Sequence, residues 1–231
     1  MNEPSRNAGA QTQLRLAFPR LRRFERDQFS VSEVNSEAVQ AVDGWPNWTG
    51  QRLALVGPPG VGKTHLAQAW AARAGAYVIS DDHAEIAMLP DGPFLYEDAD
   101  RRRADTLLFH LINRADAGHT LLLTARTPPR AWAAQLPDLR SRLNALPVTT
   151  IGEPDDKVLE QVLVRLFRER DIRPDAELLA YLVRRIERSV PAAEAIVACL
   201  DLAADAAGRG INRALAREIF EDADNTLDLF E

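Results

Sequence analysis

Arg52-Leu-Ala-Leu-Val56 runs directly into Gly57-Pro-Pro-Gly-Val-Gly-Lys-Thr64 and then into the alanine-rich segment His65–Ala74. The first run is short, apolar and stopped by a Gly-Pro-Pro-Gly turn, which predicts a buried strand. The third has no breaker until Gly75 and predicts a helix. Between them, residues 57–64 fit G-x-x-x-x-G-K-[ST] in full. Glycines at 57, 60 and 62 let successive N–H groups point inward and form an anion nest. The helix starting near Lys63 adds its positive end. Lys63 is suited to the β- and γ-phosphates and the Thr64 hydroxyl to Mg²⁺. An ordinary Gly-Pro turn would need neither the lysine nor the strand and helix on either side. Gly57, Pro58, Pro59, Gly60, Val61, Gly62, Lys63, Thr64 and the adjoining His65 are therefore the candidate site for ATP or ADP with Mg²⁺.

Outward from this loop, strands alternate with helices. Ala76–Ser80, Phe94–Tyr96 and Thr120–Thr124 read as strands, and Arg101–Asp116 as a helix with Leu107, Leu108, Leu111 and Ile112 at helical spacing. Nearly continuous apolar strands between helices predict an α/β fold with a parallel sheet covered on both faces. Phe29 to Val42 reads as a connector followed by a short helix. After Pro154 four amphipathic segments follow, at 155–171, 175–188, 191–207 and 212–222, separated by Pro, Gly or Asn. They predict a small all-helical domain. The expected division is a flexible tail at 1–28, the nucleotide-binding α/β domain at 29–152, a helical lid at 153–223 and a C-terminal tail at 224–231.

The net charge of −6 and pI of about 5.4 argue against a protein whose main task is coating nucleic acid, which would carry a basic excess. The one compact basic run near the core, Arg101–Arg103, reads as a solvated face. A single cysteine, Cys199, leaves no internal disulfide or cysteine metal cluster and fits a reducing cytosol. Its neighbours Ile196, Val197, Leu200 and Leu202 suggest a buried structural thiol. No apolar run is long enough to span a membrane, and Met1 to Thr12 lacks the apolar core of a signal peptide. A cytoplasmic protein is expected.

A phosphate loop requires carboxylates on a neighbouring strand, one to orient Mg²⁺ and one to activate water. Phe94-Leu-Tyr-Glu-Asp98 supplies two: Glu97 on the metal side and Asp98 as the base, or the reverse. A solvated acidic turn continued by Asp100 is the plainer alternative. The end of the 120–124 strand, with Thr124 and Arg126, falls where a polar side chain can sense the γ-phosphate. In Leu136-Pro-Asp-Leu-Arg-Ser-Arg-Leu143, Arg140 or Arg142 can present a guanidinium to a phosphate held by a neighbouring molecule. Surface charges at a helix end would look the same.

GPPGVGKTHL (57–66), LTARTPP (123–129) and LPDLRSRL (136–143) together resemble the DnaA branch of the AAA+ ATPases, which also includes helicase loaders and IstB-like ATPases. The resemblance covers roughly residues 13–223. Within the branch the chain is most similar to the DnaA-homologous regulatory inactivators. The sequence ends after the helical lid, where DnaA's helix-turn-helix DNA-binding domain has no counterpart. Gln13-Leu-Arg-Leu-Ala-Phe18 looks like their motif for the DNA polymerase sliding clamp. The resemblance implies that Arg142 is an arginine finger completing the ATPase site of DnaA. Gln13, Leu14, Leu16 and Phe18 would then dock on the clamp, the apolar three as anchors and the amide at the pocket edge. Leu14, Leu16 and Phe18 could instead form an edge strand on the chain's own core. Thr226-Leu-Asp-Leu-Phe230 has part of a clamp motif but lacks the glutamine.

The sequence also departs from that branch. Arg126 stands where an acidic sensor is usual, and Pro191 where the lid carries its second sensor arginine, with Arg188 nearby as a substitute. With the acids at 97 and 98 in inverted order, these departures imply a site that binds nucleotide but hydrolyses it poorly. Two functions remain: a clamp-tethered regulator that stimulates hydrolysis of DnaA-bound ATP, with no sequence-specific DNA binding of its own, or a DnaA- or IstB-like ATPase that acts on DNA or loads a replication protein. Self-association, as a homodimer or larger assembly, is compatible with either.

Overall fold

The computed structural model describes residues 24–80, 86–102 and 104–227. Five parallel strands form one sheet in the order β2-β3-β4-β1-β5, with β1 Arg52–Val56, β2 Tyr77–Ile79, β3 Phe94–Tyr96, β4 Leu121–Ala125 and β5 Val148–Thr150. Helix α1 Ser36–Asp43 precedes β1, and α2 Lys63–Ala74, α3 Asp105–Asp116 and α4 Pro137–Asn144 lie between strands.

Period-2 alternation sends successive strand residues to two separate cores. Ala54, Phe94, Tyr96, Leu121 and Leu123 face α3 and α4, meeting Leu108, Leu111, Leu139 and Leu143. Leu55, Leu95 and Leu122 face α1 and α2, meeting Val39, Leu66 and Trp70. Trp70 is buried against Trp48, stacked at 5.2 Å between ring centroids. Both faces of the sheet are covered, as the apolar strands require. The sheet therefore carries every loop that follows a strand to the same edge, where the phosphate loop lies.

One element was not foreseen as regular structure. β5 is only three residues long, and its exposed-buried-exposed pattern is too short to register as a strand. α4 contains the two candidate arginines. The helix expected from Arg101 begins instead at Asp105, because Arg101 and Arg102 turn out of the end of β3.

The C-terminal part is helical: α5 Asp156–Arg168, α6 Ala176–Arg185, α7 Val190–Ala207 and α8 Arg213–Leu227. It has its own core, including Leu159, Phe167, Leu182, Val197 and Leu200. Asp155, Asp175 and Ser189 cap α5, α6 and α7 by accepting the N–H of Val158, Leu178 and Ala192. Cys199 is exposed, contrary to the buried thiol expected. The buried stripe of α7 runs through Ala193, Ile196, Val197, Leu200 and Ala204. Cys199 lies about a third of a turn off that stripe, and Leu202, 72% exposed, lies opposite it. Among the described residues no helix is long and apolar enough to cross a membrane.

The Asp155 carboxylate is held below its ordinary range, chiefly by the Val158 N–H bond. Its stabilising contribution is thus present above the unfolded-state value and lost as pH falls through the folded-state one. Asp155→Ala should cost about 1 kcal/mol at neutral pH. Denaturant unfolding should show that gap closing below about pH 4.

Candidate nucleotide site and arginine face

The loop between β1 and α2 is placed by two close backbone approaches. A Cβ on Gly57 would lie 2.4 Å from the Ile151 carbonyl oxygen, so only glycine passes there. Gly60, at φ +76°, accepts a 2.9 Å bond from the N–H of Val190, the first residue of α7. A Cβ on Gly60 would lie 2.9 Å from Ser189 Cβ and 3.0 Å from Pro191 Cδ. The helical part thus seats directly on the phosphate loop.

Lys63 is buried, and its Nζ donates to the carbonyls of Gly57 and Pro58, each at 2.7 Å. Burial lowers its pKa; Asp98 opposes the shift and Arg126 adds to it. The lysine thus shares the cleft lining with an acid and a second cation. Thr64 is exposed at the start of α2.

A cleft of about 520 Å³ joins the loop to the helical part. Its phosphate end is lined by Gly60, Gly62, Lys63, Thr64, Asp98 and Arg126. It is also lined by Phe24, Gln28, His65 and Leu166, an apolar and amide-bearing wall suited to a flat base, with Val190 and Pro191 between this wall and Gly60. Arg165, Glu169 and Glu194 complete the rim. None of the residues from Phe24, Gln28, α5 or Glu194 was foreseen. They lie far from the motif in sequence, and their only signal was the helical spacing of Arg165 and Glu169, which pair at 3.6 Å.

His65 turns toward the segment before α1. Its Nε2 is 2.8 Å from the Glu25 carbonyl oxygen, and its ring meets Phe24 and Phe29 edge-on at 5.5 and 5.6 Å. Burial lowers its pKa, partly offset by that carbonyl, so the neutral imidazole fastens this wall of the cleft at neutral pH.

The two acids at the end of β3 part company. Asp98, with φ +51°, enters the cleft, and its N–H donates to Thr124 Oγ1 at 3.0 Å. Glu97 is not among the cleft-lining residues; one oxygen accepts from Gln68 Nε2 at 2.7 Å, and the other is buried without a partner. A hydroxyl and carboxylates are the oxygen donors Mg²⁺ takes. Thr64 and Asp98 fit as its side-chain holders, and the orphaned Glu97 oxygen lies next along the same strand end. The ion, when bound, would neutralise phosphate charge.

Thr124 is buried and its hydroxyl is committed to Asp98, so it supports that acid and does not face the cleft. Arg126 is exposed and does line the cleft; its N–H and that of Thr127 donate to Asp100 Oδ2, which fixes the turn. Arg188 points elsewhere, pairing with Asp156 at 2.7 Å and donating to the Pro154 carbonyl. Pro191, not Arg188, occupies the cleft wall.

Arg142 and Arg140 lie on α4, outside the cleft lining. Arg142 is half-buried, ion-paired with Asp116 and set over the Phe109 ring at 5.4 Å. Arg140 is exposed and has no ion pair among the described residues. Gln13, Leu14, Leu16 and Phe18 lie outside the described residues.

Over residues 53–189, more than half its length, the chain matches the AAA domain family, and it belongs to that family. Its core has a DnaA-like AAA+ fold. A chromosomal replication initiator protein DnaA from Thermomicrobium roseum is 25% identical over 87% of this chain, which spans only half of that relative's length. Domain III of the replication initiation protein DnaA from Thermotoga maritima superposes with a TM-score of 0.71 at 18% identity, covering 86% of this chain and 96% of that one. AMPPCP-bound DnaA from Aquifex aeolicus gives 0.63 at 21% identity, covering 78% and 65%. Residues 5–89 also match the IstB-like ATP binding proteins.

Gly60→Ala forces a side chain into the contact with Ser189 and Pro191. It should destabilise the chain by about 1–3 kcal/mol and weaken binding of a fluorescent ADP analogue. Unchanged melting and unchanged affinity would show that this contact does not organise the cleft.

Proposed function

We propose that the chain is a regulator of replication initiation of the Hda type: it holds ADP or ATP with Mg²⁺ in its own cleft, docks on the polymerase sliding clamp, and stimulates hydrolysis of ATP bound to DnaA. The observation that carries this reading is the position of Arg142. It is partly exposed on α4, outside the chain's own cleft, where it is open to a nucleotide held by another molecule. An arginine supplied in trans to a phosphoryl-transfer site stabilises the charge spread over the transferring group, an effect worth about 10³–10⁵ in rate.

The cleft itself supports a binding role with weak turnover. Pro191 itself brings no charge to the cleft, where the cation supplied by the helical part is Arg165; Glu97 is engaged by Gln68, and Asp98 is the acid that lines the cleft with Lys63. Asp98 is shorter by a methylene than a glutamate in the same place, which lengthens the path to an attacking water. Bound nucleotide would then act as a latch between the loop and α7. The Gln13–Phe18 motif supplies the tether that raises the local concentration of Arg142 near DNA-loaded clamps. An arginine offered from α4 would serve equally toward a nucleotide held by a second copy of this chain.

A second reading, an IstB-like ATPase acting on DNA or loading another protein, is favoured by the match over residues 5–89 and by the presence of Asp98 and Lys63 in the lining of one cleft. The two readings separate on the tail. Immobilised sliding clamp should retain the wild-type chain and lose Gln13→Ala and Phe18→Ala, while both variants keep their affinity for ADP. Equal retention of all three, or retention of none, would contradict the clamp-tethered regulator. A DNA-stimulated ATPase indifferent to the tail would establish the other reading.

A further inference from the structure

Arg52 of β1 and Arg142 of α4 converge on one carboxylate. Asp116, the last residue of α3, receives Arg52 Nη1 on one oxygen and Arg142 Nη1 on the other. Phe109 lies seven residues earlier, two turns of the same helix, so one stripe of α3 offers Arg142 both an aromatic face and an anion. Exposure is graded across the trio: the Arg52 side chain is 15% exposed, Arg142 35% and Asp116 38%. Arg140, two residues from Arg142, has no ion pair among the described residues.

We propose that Asp116 is a positioning residue: it holds the Arg142 guanidinium while the chain is unengaged and yields it to the phosphates of a nucleotide bound by a partner. The proposal rests on Arg142 acting in trans. A carboxylate and a phosphate present oxygens to the guanidinium fork in the same way, so Asp116 serves as an internal stand-in for the phosphate. Releasing Arg142 does not leave Asp116 alone, because the more deeply placed Arg52 stays on its other oxygen. That second cation keeps the exchange inexpensive. It also sets the strength of the hold, since an Asp116 partly neutralised by Arg52 attracts Arg142 less than a bare one. Phe109 offers its ring face to the guanidinium while it waits, 5.4 Å from the ring centroid to Cζ.

The hold competes with docking, so it acts on the concentration at which the chain engages its partner and leaves the rate at saturation unchanged. With a DNA-loaded clamp present, hydrolysis of DnaA-bound ATP is titrated with the full chain and its variants. Asp116→Asn should lower the half-saturating concentration by about two- to fivefold, the span expected for a partly exposed ion pair, with the saturated rate unchanged. Asp116→Ser, smaller and also neutral, should do the same, and thermal melting verifies that each variant is folded. Arg52→Met leaves Asp116 to Arg142 alone and should raise the half-saturating concentration. A merely structural role moves the aspartate and Arg52 variants in the same direction; that result, or no shift in either, overturns the proposal while Arg142→Ala still abolishes stimulation. Stimulation that survives Arg142→Ala removes the trans-acting arginine and this proposal together.

Discussion

The approach of α7 to the phosphate loop is the constraint on which the site depends. A backbone bond from Val190 to Gly60 and the packing of Ser189 and Pro191 on a glycine without a Cβ bring the helical part down onto the nest. Because α7 packs along α5, the same contact brings Arg165, Leu166 and Glu169 to the base end of the cleft. The segment from Phe24 to Phe29 closes the remaining side, fixed by His65 and by the Arg165 bond to the Gln28 carbonyl. A nucleotide in this cleft would touch the sheet domain, the helical part and the segment before α1 at once. Binding there would hold three pieces of chain in one arrangement.

The cation distribution divides the molecule by task. Lys63 and Arg126 face the chain's own cleft, whereas Arg140 and Arg142 sit on α4 beyond it. In between, Asp98 and Asp100 are used for positioning: the first is held by the buried Thr124 hydroxyl, the second gathers the backbone of Arg126 and Thr127. Charged groups at the strand ends are thus largely committed within the chain. On α4, Arg142 is shared between Asp116 and solvent.

Much of the fold was legible because strand and helix periodicities agreed with the hydrophobic pattern. β1, β3, the body of β4, α2 and the four C-terminal helices follow directly from apolar runs and from Gly and Pro punctuation. β5 escaped because a three-residue edge strand buries a single side chain, Thr149. The exposure of Cys199 was hidden because apolar neighbours in sequence lie on different faces of a helix; only the stripe through Ile196 and Leu200 is buried. The phosphate end of the cleft was legible as a contiguous motif. The base end was not, since Phe24, Gln28 and Arg165 are brought together by tertiary packing alone. Glu97 and Asp98, adjacent in sequence, diverge because a positive φ at Asp98 turns it into the cleft while Glu97 stays against α2. No pattern of residue types encodes that turn.

The central claim is that this chain holds a nucleotide in its own cleft yet acts on one held elsewhere. It is tested most directly by loading γ-labelled ATP on only one partner, either this chain or DnaA, before mixing them on DNA-loaded clamp and following phosphate release. Rapid release from DnaA-bound label, with label on this chain retained, is the predicted result. Rapid release from this chain's own label, with DnaA-bound label unaffected, would contradict the account.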